Sequence, residues 1–229
     1  MKAFVLGGLV LGLTTGLSHA AWYHFSWTNG FANGGVIPDG NPAGWSDVRT
    51  ITIPEPQILE VKVRLQITGG FNGDLYGYLT HASGFAVLLN RPGRTGSNLF
   101  GYPDAGFHVT FSDTASEPTD FHFYQTVSGY NISGGTEWRP DGRNVDPATV
   151  TGTESRTALL SSFAGLIPSG TWTLFLADLS VGETSTVQRW DLSINAVPEP
   201  GTGSLAIFGA LGIAAARWLR RASRPKTSA

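Results

Sequence analysis

The stretch Val61-Lys62-Val63-Arg64-Leu65-Gln66-Ile67-Thr68 alternates apolar and polar residues without a break. A period of two sends successive side chains to opposite faces and marks a half-buried strand. Outward from it the alternation recurs at Ile51 and Ile53, and at Phe107, Val109 and Phe111. It returns at Trp172, Leu174 and Leu176, and at Trp190, Leu192 and Ile194. Turn formers stand between these runs: Pro38-Asp39-Gly40-Asn41-Pro42, Gly69-Gly70-Phe71-Asn72-Gly73 and Pro140-Asp141-Gly142. Almost no window of residues 22–195 carries a helical stripe, and one short helical turn is predicted over residues 157–163. Many short strands punctuated by Gly and Pro predict an all-β fold, an antiparallel jelly roll or β-sandwich.

Composition narrows the chemistry. The 229 residues include 30 Gly, 7 Trp and 13 Phe but no Cys. A disulfide scaffold, a thiol nucleophile and every Cys-ligated metal site are therefore excluded. The net charge of −2 conceals an asymmetry. Residues 21–197 hold nine Lys and Arg against sixteen Asp and Glu, a net of −7, whereas residues 198–229 carry five basic residues and one acid. An acidic middle lacks the clustered cations that bind phosphates, so no nucleic-acid partner is expected.

The two ends read as addresses. Lys2, an uncharged apolar run over residues 4–13 and the small-residue exit Ser18-His19-Ala20 predict a signal peptide at 1–20. At the other end, Pro198-Glu199-Pro200 precedes a Gly/Thr/Ser spacer, an uncharged apolar run over 205–216 and the cluster Arg217, Arg220 and Arg221. Eighteen residues from Thr202 to Leu219 span about 27 Å as a helix at ~1.5 Å per residue. A hydrocarbon core is roughly 30 Å thick. The run therefore predicts one transmembrane helix, with its arginines on the cytoplasmic side by the positive-inside rule. The expected organisation is a signal peptide (1–20), a β-sandwich (21–197) and a C-terminal tail (198–229).

In its order of motif, helix and Arg cluster, the tail resembles the PEP-CTERM sorting signal of Gram-negative bacteria. The resemblance implies an exosortase partner, transient anchoring in the inner membrane, and processing that delivers the domain to the envelope or extracellular matrix. Exopolysaccharide and other matrix proteins are the implied surroundings. A second Pro-Glu-Pro, at residues 54–56, has no helix behind it and reads as a turn.

Three segments of the middle carry another resemblance: Ile37-Pro38-Asp39, then Gly73-Asp74-Leu75 with Val87-Leu88-Leu89-Asn90-Arg91, then Pro168-Ser169-Gly170-Thr171-Trp172 with Ala177-Asp178 and Trp190-Asp191-Leu192-Ser193-Ile194. Their order is similar to the P domain (P/Homo B domain) that follows the catalytic domain of subtilisin-like proprotein convertases. The resemblance implies a jelly-roll β-sandwich and, as in some members, structural calcium. Asp39, Asp74 and Asp178 stand at the matching loop positions and are the expected calcium ligands, carboxylates being what a hard cation takes. Each Asp also suits an ordinary turn, accepting backbone N–H bonds. Residues 101–155 are longer and more aromatic than the resemblance leads one to expect.

No catalytic residue is expected. The middle domain has four His (His24, His81, His108 and His122) and no Gly-x-Ser-x-Gly nucleophile elbow. His108 and His122 read as surface imidazoles on polar strand faces. The aromatics Tyr76, Tyr78, Phe121, Phe123, Tyr124, Tyr130 and Trp138 read either as core or as sugar-stacking platforms. The leading expectation is a non-enzymatic envelope or matrix protein. The alternatives are a calcium-dependent carbohydrate-binding or adhesive module and an accessory domain of a subtilisin-like protease system.

Overall fold

The computed structural model describes residues 19–198. The expected signal peptide, apart from His19 and Ala20, and the sorting tail from Glu199 onward lie outside the described residues. Residues Ala20–Val197 form one compact unit. Among the described residues no helix is long and apolar enough to cross a membrane.

Among the described residues nine strands build two sheets. In chain order they are β1 (Ala21–Trp27), β2 (Asn41–Ile51), β3 (Gln57–Gly69), β4 (Leu75–His81), β5 (Gly84–Asn90), β6 (Phe107–Phe111), β7 (Thr136–Trp138), β8 (Gly170–Asp178) and β9 (Ser185–Val197). One sheet runs β1-β9-β3-β6-β7 and the other β2-β8-β4-β5. The chain crosses between sheets at most connections, and only the β4–β5 and β6–β7 links stay within one sheet. Setting β7 aside, this is the connectivity of a jelly roll. The predicted helical turn is a 3-10 turn at Leu160–Phe163.

The period-two runs enter the core as their spacing requires. Val61, Val63, Leu65 and Ile67 are buried, as are Trp172, Leu174, Leu176, Trp190, Leu192 and Ile194. Burial of these apolar faces against one another is the main stabilising force, at roughly 25 cal/mol per Å². One pairing departs from the antiparallel expectation: β7 joins β6 in parallel, Val109 opposite Thr136 and Phe111 opposite Trp138. Parallel neighbours need a long crossover, and residues 112–135 supply it.

That crossover explains the aromatic-rich middle. Phe121, Tyr124 and Trp138 are fully buried in the core, with Phe121 in edge contact with Phe111 at 5.3 Å and with Trp138 at 6.0 Å between ring centroids. These three are packing, not sugar platforms.

Candidate functional site

The outer face of the five-stranded sheet carries a cleft of about 560 Å³. Strand registry lays polar side chains across it in rows. Ser26, Asp191, Arg64, Thr110 and Glu137 stand side by side on β1, β9, β3, β6 and β7. The next row holds His24, Ser193 and Lys62, and the row on the other side holds Arg189, Gln66 and His108. At the β1 edge Trp22 is 40% exposed and lies parallel to His24, ring centroids 6.1 Å apart at 9°. Lys62 Nζ sits 5.7 Å from the Trp22 ring and donates to Glu137 at 2.7 Å.

Two guanidiniums share one acid here. Arg189 Nε donates to Asp191 Oδ1 at 2.7 Å, while Arg64 Nη1 lies 3.9 Å from Asp191 Oδ2. Arg64 Nε donates to Thr110 at 3.2 Å. Burial first, then the charges of Arg64 and Arg189, hold His108 below the ordinary histidine range. The cleft lining thus holds three basic side chains against Glu137 and Asp191 in an otherwise acidic domain.

The three acids predicted as calcium ligands meet at one end of the four-stranded sheet. Asp178 ends β8 opposite Asn41 and Leu75, which places it beside Asp74 and the loop of Asp39. Asp39 accepts the Gly182 amide at 3.0 Å. Asp74 accepts Arg91 Nη2 at 3.2 Å, and Arg91 also donates to the Gly73 carbonyl and to Ser180 Oγ. Arg91 holds a positive φ of 51° at the end of β5, a conformation uncommon outside glycine. Asp178 Oδ2 is buried without a partner. Burial raises the Asp178 pKa to about 6, with Asp74 and Asp39 adding to the effect and the Ser180 amide opposing it. Among the described residues no three His, Cys, Asp or Glu side chains converge on one point as a metal's ligands. The cation set against Asp74 is the Arg91 guanidinium.

A third group looks like part of a catalytic triad. His122 Nδ1 lies 2.8 Å from Asp141 Oδ2, both side chains fully buried. In a Ser-His-Asp site the other ring nitrogen takes the proton of the nucleophile. Here His122 Nε2 points 2.9 Å to the backbone carbonyl of Arg94. The position a serine needs is filled by an acceptor. Arg143 closes the network with a two-pronged pair to Asp120 at 3.1 Å and 3.1 Å and a bond to Asp141 at 3.2 Å. His122 was expected on a surface; it is buried on the turn Phe121–Thr126, hydrogen-bonded within this network.

The remaining predicted platforms are half-buried. Tyr78 stacks on Phe175 at 4.8 Å and touches Tyr76 at 5.9 Å, and these rings line a cleft of about 490 Å³ beside Arg91. Sequence reasoning passed over Trp22 and the Lys62/Arg64/Arg189 group. The polar half of the period-two runs was the available signal, since it already set Lys62 and Arg64 on one face. Pro198 ends the described residues, and Glu199, Pro200, Arg217, Arg220 and Arg221 lie outside them.

No protein-family model matches the chain, and no curated protein does. Among solved structures it is similar to a serine protease of Aeromonas sobria, determined in complex with the chaperone ORF2 (TM-score 0.41) and without that chaperone named (TM-score 0.40). Identity is 14% in both, over 77% of this chain and 26% of the other. The chain thus spans about a quarter of the length of those structures.

Proposed function

We propose that this chain is an exported, non-enzymatic binding module of a Gram-negative cell envelope or extracellular matrix. The observation that carries the reading is a contrast between two sites. The His122–Asp141 pair is sealed from solvent and capped by a carbonyl, whereas the cleft over β1, β9, β3, β6 and β7 is open and lined by an aromatic platform with polar groups. Few convergent polar groups around an aromatic surface suit recognition. A sealed imidazole suits stability.

Delivery rests on the sequence of the two ends. The Pro198-Glu199-Pro200 motif, the apolar run and the arginines support recognition by an exosortase, with transient anchoring in the inner membrane. The protease-accessory alternative is supported by the P-domain resemblance alone. Re-association tests the binding reading: the full chain, purified in detergent, is mixed with extracellular matrix stripped from the producing cells and sedimented. The module is expected in the matrix pellet and unlabelled by a serine-reactive fluorophosphonate. Labelling overturns the non-enzymatic reading, and a protein that stays in the supernatant overturns the binding one.

A further inference from the structure

The rows across the five-stranded sheet define more than a generic surface. From the row of Trp22 (opposite Asn195) to the row of Arg64 is four residues of strand, since Glu60 pairs with Asn195 and Arg64 with Asp191. At ~3.3 Å per residue the groove is about 13 Å long over that run, longer than one sugar ring. Its floor alternates hydroxyls (Ser26, Ser193, Thr110) with charges, and its end is a flat indole. Its volume of about 560 Å³ lies within the roughly 300–1,000 Å³ of ligand sites.

Charge selects among the polymers that such a groove fits. Lys62, Arg64 and Arg189 are three of the nine basic residues of the domain; Glu137 and Asp191 are the acids that line the cleft with them, while Glu60 stands in the row of Trp22, four residues from Arg64 along the strand, and accepts from Thr114. Lys62 is matched by Glu137, but Arg64 and Arg189 share Asp191, so within the cleft lining two guanidiniums meet one carboxylate. A guanidinium pairs with carboxylate in a planar, often two-pronged geometry. A densely phosphorylated strand demands many clustered cations, and one net charge does not supply them. A polymer with isolated carboxylates and many hydroxyls does match it.

Building on the binding-module reading, we propose that this groove binds an acidic saccharide of the uronate class, one ring stacked on Trp22 and a carboxylate on Arg64 and Arg189. The lowered pKa of His108 fits the same picture, because a bound carboxylate would relieve the repulsion from both arginines.

The test uses the full chain in detergent with sodium polygalacturonate as probe, and its methyl-esterified form and dextran as neutral controls. Indole fluorescence and affinity electrophoresis read the binding. Polygalacturonate is expected to bind, with at least a tenfold loss on esterification, in W22A, and in R64Q/R189Q. Thermal melting of each variant checks that the fold is kept, and a shifted His108 titration in bound wild type supplies a readout independent of the variants. Equal binding of dextran, or binding unchanged in both variants, overturns the acidic-saccharide assignment. So does no binding to polygalacturonate by a chain that still sediments with stripped matrix; that outcome leaves the binding module standing, whereas failure of both assays removes it too.

Discussion

Asp178 shows what one carboxyl can do when its surroundings are other carboxyls. Its Oδ2 is buried without a partner, and its pKa rises from 3.8 to about 6. A carboxyl that is harder to ionise folded than unfolded stabilises the fold below about pH 4, and that contribution is lost as pH rises through about 6. D178N is therefore expected to stabilise the domain at pH 7 by on the order of 2 kcal/mol, and the gain should vanish at pH 4. Melting curves at the two values check it, and an equal difference at both contradicts it. The position of Asp178 was readable, since it ends an alternating strand. Arg91, the cation beside Asp74, was not, because it reaches that acid from the end of β5 through a left-handed residue. The His122–Asp141–Arg143–Asp120 network was equally hidden, lying in a segment with no period to read. Breaking it by R143M takes the buried guanidinium from Asp120 and Asp141, leaving Asp120 with Arg156 and Asp141 with His122, and is expected to cost roughly 3 kcal/mol in urea unfolding. A loss under 1 kcal/mol would show that the network is dispensable.

At the scale of elements, periodicity located β3, β6, β8 and β9 because each buries one face and wets the other. It did not locate β7, three residues long, whose place is fixed by Trp138 packing against Phe121 and by its parallel pairing with β6. Nor did it find β1, where Trp22, His24 and Ser26 alternate with Tyr23, Phe25 and Trp27. Large rings on both faces blur the contrast that periodicity needs. Yet β1 is the edge strand that carries the exposed indole. W22A should accordingly leave stability within about 1 kcal/mol of wild type, since an exposed side chain away from the core contributes little. W138A, by contrast, should cost roughly 3–5 kcal/mol, as removing a buried Trp does. Chemical denaturation of the pair compares the two faces of one sheet; equal losses would mean that Trp22 is structural.

For the whole molecule, the charge of −2 divides into an acidic sandwich and a basic tail. The sandwich concentrates three of its nine basic residues on one sheet face, a distribution that composition alone conceals. Strand order supplied it, by bringing β3 and β9 together from opposite ends of the chain. With Arg91 as the cation beside Asp74, the melting temperature is expected to be the same in chelator and in millimolar calcium. A rise of several degrees with calcium would restore the ion to that cluster. In the tail, replacing Pro198-Glu199-Pro200 by three alanines is expected to leave the protein in the inner membrane at full tail-bearing mass, read by fractionation and immunoblot. Normal release of that variant would remove the exosortase from the account. The central claim, that the outer sheet face is the binding surface, meets its most direct test in matrix re-association by wild type and the W22A/R64Q variant. Wild type is expected to sediment with stripped matrix while the folded variant stays in solution; co-sedimentation of the two to the same extent would show that this face is not the binding surface.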